Sequence, residues 1–221
     1  VGDTSNIIYF GFGAFTGCGK LEHVDISSAV TIKAQAFRNT KITFSTFPTS
    51  IQEIGSEAFF GQNVHVPATI NLPNLTKIDN NAFGDKSEII NIVDLGTITT
   101  LGTGIDGYGR SPFFGCNNLE TAIIPETVTG IGYGFANGSN VRWIKILSDT
   151  VPTLYAEVGT FGTEYDWSSS ANPRPIIDTK SYPIYVKDDL VTSYQSATNW
   201  DKITSSRFKP LSQFATDFPN G

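Results

Sequence analysis

The sequence predicts a repeat solenoid: short strands and tight helical turns stacked rung on rung around one elongated core, closed at the C-terminal end by a strand and a helix. Three observations predict it. A phenylalanine recurs at positions 15, 37, 59, 83, 113, 135 and 161, at intervals of 22, 22, 24, 30, 22 and 26 residues. An apolar pair three residues apart, often followed by glycine, precedes most of these rings, as in Ile51, Ile54 and Gly55 or Val128, Ile131 and Gly132. A short alternating segment follows them, as in Val24 and Ile26 or Ile144 and Ile146. Self-similarity at a period of roughly 20–50 residues marks a stacked array.

The repeat is clearest where residues 13–26 return as residues 112–124. Phe15 and Phe113 are followed at +3 by Cys18 and Cys116 and at +6 by Leu21 and Leu119. At +9 and +11 come Val24 and Ile26 in one copy, and Ala122 and Ile124 in the other. The alternating segment has the period of a half-buried strand. The apolar pair is a second extended piece, and the Ala-Phe step seen at Phe15, Phe37, Phe59 and Phe83 is a tight helical turn. A single copy is too small to bury its own ring, so the rings must stack, one per rung, into a continuous column.

The period breaks twice, near 103–111 and over 162–182, and long loops in compact arrays are often functional. After residue 182 the repeat ends. Pro183 to Val186 reads as a last strand. Asp188 or Asp189 then caps a helix carrying Leu190, Val191, Tyr194 and Ala197, and Trp200 closes it. The sequence thus divides into a solenoid over 1–182 and a cap continuous with it over 183–221. A solenoid end exposes raw core and an unpaired edge, so a cap is expected.

Composition narrows the partners. Apolar residues make up 39% of the 221 and charged residues 16%, a folding composition rather than a disordered one. The net charge is −6 with no Lys/Arg cluster, which argues against nucleic acid and against adsorption to anionic lipid. No apolar run approaches the ~18–20 residues of a spanning helix, so direct membrane insertion of this segment is not expected. The chain begins at Val1 and contains no methionine, which reads as a trimmed product whose leader or lipid anchor has been removed. Cys18 and Cys116 hold the same repeat position four rungs apart, roughly 19 Å at about 4.8 Å per rung. A disulfide needs Cα atoms within ~7 Å. Two reduced thiols are expected, each packed beside its own ring.

Enzymatic chemistry finds little support. His23 and His65 have no second ligand at zinc spacing, and no nucleophile elbow occurs. The glycine-rich run over 102–109 lacks the lysine of a phosphate-binding loop. Asp106, Glu164, Asp166 and Asp178 lie in or near the insertions without a defined separation for glycoside cleavage. No cofactor or metal is expected.

The repeat resembles the BspA-like, or treponemal-type, leucine-rich repeat family, whose unit runs roughly Leu-x-x-Val-x-Ile-Pro-x-x-Val-x-x-Ile-Gly-x-x-Ala-Phe-x-x-Cys. Leu119 to Pro125, Val128, Ile131, Gly132 and Phe135 follow it closely, as do Ile51, Ile54, Gly55, Ala58 and Phe59. The likeness covers about residues 8–165. It implies a right-handed leucine-rich repeat β/α superhelix. It also implies a non-enzymatic cell-surface or secreted bacterial protein that adheres to a host extracellular-matrix protein or another surface macromolecule. A glycan-binding or carbohydrate-active accessory is the alternative, and a purely structural spacer a third reading.

Side chains pointing outward from the strands are the natural ligand contacts: His23, Asp25, Thr43, His65, Thr121, Ile123, Trp143 and Lys145. Trp143 stands out as a hot-spot residue type, its alternative being to pack beneath the second insertion. Tyr108 and Trp167 are candidates on the two insertions.

Overall fold

The computed structural model describes residues 6–102, 110–138, 140–156, 159–165, 168, 170–171 and 176–219. The chain coils into a stack of rungs with two parallel β walls. The first wall holds β1 (Tyr9–Phe10), β2 (Thr31–Ile32), β3 (Glu53–Ile54) and β5 (Lys77–Ile78), hydrogen-bonded in that order. It resumes as β7 (Thr100–Leu101), β9 (Gly130–Ile131) and β11 (Thr153–Leu154). These are the extended pieces carrying the apolar pair. The second wall is a six-stranded sheet in the order β15, β14, β10, β8, β6, β4. Its strands are β4 (Thr69–Asn71), β6 (Asn91–Asp94), β8 (Thr121–Ile124), β10 (Trp143–Ile146), β14 (Ile184–Val186) and β15 (Phe208–Pro210).

The phenylalanine column forms as the period demands. Phe15, Phe37, Phe59, Phe83 and Phe113 stack in turn with ring centroids 5.6, 5.8, 5.2 and 5.4 Å apart and nearly parallel planes. Phe135 and Phe161 continue it edge-on at 6.3 and 5.8 Å. Trp200 then lies on Phe161 at 5.3 Å and ends the column. Every ring from Phe37 to Phe161 is at most 1% exposed. Only Phe15, on the first rung, is partly bare.

The Ala-Phe steps are not helical turns. Left-handed residues stand two before and two after the ring, as Gly13 and Gly17 around Phe15 or Gln35 and Asn39 around Phe37. An α-helix cannot propagate through such alternation. Alternate N–H groups instead point along the stack: Phe15 donates to Ala36 O, Phe37 to Ala58 O, and Phe59 to Ala82 O. Of the five non-glycine residues at these positions in the Ala-Phe steps, three are Asn or Asp, the side chains that best tolerate this region: Asn39, Asn81 and Asp85.

The glycine after the apolar pair has a different cause. A Cβ on Gly55 would stand 2.3 Å from Ala34 N, so the rungs can approach here only without a side chain. Gly55→Ala should force the rungs apart and cost about 1–3 kcal/mol. A lowered urea midpoint with an unchanged denaturant slope would show it.

The two cysteines are free, and they differ. Cys116 is 5% exposed, with its thiol 3.3 Å from Phe83 O of the rung before it. Burial pushes that thiol up to about 12. Cys18 belongs to the first rung and is exposed, because nothing among the described residues lies above it. Its expected packing beside Phe15 is therefore corrected. Maleimide labelling of folded protein near pH 7 should modify Cys18 quickly and Cys116 only on unfolding. Equal labelling of both would contradict the stack.

At the C-terminal end the expected strand and helix are present as β14 and α1 (Val191–Ser196), with Tyr194 and Trp200 buried. Two details differ. No aspartate side chain caps the helix; Asp188 instead accepts from the Ser212 N–H at 3.1 Å. A further strand, β15, pairs beyond β14. The second insertion includes an antiparallel hairpin of β12 (Thr163–Tyr165) and β13 (Ile176–Asp178). Arg207 fastens it to the cap. This buried guanidinium donates to Asp178 at 2.6 Å, Phe161 O at 2.9 Å and Tyr182 O at 3.0 Å.

Among the described residues nothing stacks on the outer face of the first rung. Ile8, Tyr9 and Phe12 are 60, 56 and 74% exposed. The carbonyls of Phe12, Ala14 and Thr16 accept no hydrogen bond from the described residues.

Candidate functional site

The second wall carries the most varied outward side chains. Alternation turns Ile92, Ala122 and Ile144 into the core and leaves Asn91 and Val93, Thr121 and Ile123, Trp143 and Lys145 facing out. Register brings them into rows: Thr69 beside Asn91, Asn91 beside Thr121, Thr121 beside Trp143, and Ile123 beside Lys145. Thr121 Oγ1 donates to Asn91 Oδ1 at 2.7 Å, which fixes the amide and leaves its N–H groups directed elsewhere. Val93 is 46% exposed and Ile123 half-buried, an apolar pair beside the polar row.

The far side of this surface is bounded by the C-terminal segment. After β15 the chain turns through Leu211–Gln213 into the short helix α2 (Phe214–Asp217) and lies across β10 and β14. Phe214 meets Trp143 and Tyr185 edge-on, each at 5.0 Å. The Lys145 ammonium sits 3.3 Å from the Phe214 ring centre, a cation–π contact, and burial lowers its pKa. Tyr185 donates to Asp217 Oδ2, and Gln213 to Oδ1 at 3.3 Å. Burial, then the Asp217 carboxylate, raise the Tyr185 pKa.

Trp143 is therefore half-buried and not a free platform. Among the described residues its cover is Phe214 and Phe218 rather than the second insertion. Between this cover and the sheet lies a recess of about 420 Å³ lined by Asn91, Thr121, Arg142, Trp143, Asp217, Phe218 and Pro219. Arg142 is exposed, and its guanidinium meets no acceptor among the described residues.

The first wall contrasts with this. Its outward charges satisfy one another: Lys33 and Lys77 both reach Glu53, at 2.7 and 3.1 Å, and Lys77 also reaches Asp79 at 3.3 Å. Hydrogen bonding from Lys33 lowers the Glu53 pKa, and hydrogen bonding to Glu53 raises that of Lys77. A cleft of about 570 Å³ lies where this wall breaks between β5 and β7. It is lined by strand and turn residues including Thr76, Lys77, Asp79 and Thr100.

The remaining sequence candidates do not join the recess. His65 pairs only with Thr43, in an isolated bridge, and its Nδ1 lies 3.7 Å from Glu88. The sheet row passes through Thr69 instead, because the third rung carries extra residues between its ring and its strand. The outward candidates from His23 to Lys145 thus do not share one paired row. His23 is exposed on the first described rung. Asp25 accepts from the Ser27 N–H at 2.8 Å and lines a separate shallow groove with Thr43. Tyr108 and Trp167 lie outside the described residues. Sequence reasoning did not single out Asn91 or Arg142, and it took the C-terminal aromatics as part of the cap. The spacing of Phe214 and Phe218, four apart in a non-repeat tail, was the available signal.

Among the described residues no cluster of three metal-binding side chains occurs, and no helix is long and apolar enough to cross a membrane. What the geometry defines is a stacked-repeat protein with a side-chain surface on one wall. The family model for the BspA-type leucine-rich repeat region matches residues 4–65 and 30–158, with six copies. The chain belongs to that family. No curated protein sequence matches it. Among solved structures it is similar to a leucine-rich repeat protein from Bacteroides ovatus, at 19% identity and a TM-score of 0.48. That match covers 83% of this chain and 48% of the other, so the chain spans about half its length.

Proposed function

We propose that this chain is a non-enzymatic binding protein of a bacterial cell surface or secretion, presenting the outward face of its six-stranded wall to a host or bacterial macromolecule. One observation carries the reading: on this wall Val93, Ile123 and the exposed Arg142 face outward without a charge partner among the described residues, whereas on the other wall the outward charges pair. Val93 and Ile123 supply an apolar patch, with Asn91, Thr121 and Arg142 along one side of it. Apolar contact area flanked by polar groups is a common anatomy of a recognition patch. The leucine-rich repeat family supports a protein-binding role in general. Extracellular-matrix proteins are the partners the family resemblance suggests first.

The test is a solid-phase binding panel of purified matrix proteins. Val93→Asp should abolish binding to whichever protein is captured while leaving the melting temperature within a few degrees, since Val93 is exposed. Binding that survives this variant would move the interface elsewhere.

A further inference from the structure

The recess between the wall and the C-terminal segment differs from the rest of this surface in being concave and ligand-sized. Its volume of about 420 Å³ falls in the range of roughly 300–1,000 Å³ typical of small-ligand pockets. Protein partners, by contrast, meet over broad and flatter areas. We propose that this recess holds a short glycan segment carried by the macromolecule that the wall binds, an inference that rests on the surface-binding reading above.

The lining matches a saccharide group by group. Trp143 and Phe218, with Pro219, give two aromatic walls and an aliphatic edge, suited to the C–H faces of a sugar ring. Beside Trp143, on the same face of the sheet, lie Thr121 and then Asn91, in register on the two preceding rungs. Because Thr121 Oγ1 donates to Asn91 Oδ1, the Asn91 N–H groups and the Thr121 oxygen lone pairs face other partners. Donors and acceptors in alternation are what vicinal hydroxyls require. Arg142 adds one uncommitted cation, able to take a sugar hydroxyl or a carboxylate. The other charge, Asp217, is already held by Tyr185 and Gln213.

A peptide fits less well. The backbone beneath the recess is spent on pairing β6 to β8 and β8 to β10, so no strand edge is open for main-chain hydrogen bonds there. A strongly acidic peptide would meet one free guanidinium in a chain of net charge −6.

The experiment uses the whole chain against two probes. One is an array of neutral and carboxylated oligosaccharides. The other is a purified matrix glycoprotein before and after enzymatic removal of its glycans. Binding to a defined set of array glycans, with glycoprotein binding lost on deglycosylation, is the expected result. Trp143→Ala should then remove binding. Because that change also uncovers Phe214, Arg142→Ala and Thr121→Val serve as second variants on side chains outside the core. Each should weaken glycan binding about tenfold, a change of about 1.4 kcal/mol, with an unchanged melting temperature. Glycoprotein binding that survives deglycosylation overturns the glycan proposal and leaves the protein-binding reading intact. Absence of binding to either probe overturns both. Array binding unaffected by all three variants shows that the glycan sits elsewhere and overturns this site.

Discussion

Phe83→Ala should lower the stability of the whole stack by about 3–5 kcal/mol, the cost of emptying a large buried aromatic site. The ring is fully buried between Phe59 at 5.2 Å and Phe113 at 5.4 Å, both nearly parallel to it. Phe47 also touches it at 5.7 Å. The rungs above and below cannot close the gap, because their spacing is set by strand pairing and by hydrogen bonds such as Phe83 N–H to Pro112 O. The same change at Phe15 should cost clearly less, since that ring is already part-exposed and stacks on one side only, against Phe37. Urea unfolding of the two variants measures the difference. Equal losses would mean that the column is not the unit of stability.

The second large effect sits at the other end. Removing either member of the Asp178–Arg207 pair should cost about 3–5 kcal/mol, because each side chain is 3% exposed and the survivor is left as an uncompensated buried charge. Burial alone would raise the Asp178 pKa. Hydrogen bonds from Arg207 and from the Thr204 N–H outweigh it and hold the carboxyl below its ordinary 3.8. The sign then follows from linkage. A carboxyl depressed in the folded state contributes stability that is present in full above its unfolded value. That contribution is lost as pH falls through the folded value. Acid unfolding of the wild type should therefore steepen below about pH 4, and Asp178→Asn should flatten this limb while lowering stability at pH 7. An unchanged acid limb in Asp178→Asn would assign the acid sensitivity to other carboxylates.

Most of the architecture was legible because a solenoid writes its core periodically. Each ring from Phe15 to Phe161 lies in the column that the spacing implied, and Gly55, after its apolar pair, marks a close approach of rungs. What was not legible depended on backbone conformation and on long-range cover. The Ala-Phe step looks helical in one dimension, yet left-handed residues such as Gln35 and Glu57 carry no sequence mark of their geometry. Lys86 reads as a surface loop residue, but it occupies the cysteine slot of its rung, 2% exposed, donating to Gly61 O and Val64 O. Asn91 was hidden because Ile89, Ile90, Ile92 and Val93 blur the alternation around it. Trp143 pointed outward as the pattern required. Its cover by Phe214, some seventy positions away, belongs to tertiary structure and leaves no periodic trace.

The first described rung has a directional chemistry. Along the turn side, the first four junctions between storeys run one way, with N–H groups of the earlier storey reaching carbonyls of the later one. The first described storey therefore shows acceptors alone there, at Phe12, Ala14 and Thr16. A surface or a further rung that stacks on this face must bring donors in matching rank, which makes the face selective in spite of its exposed hydrocarbon.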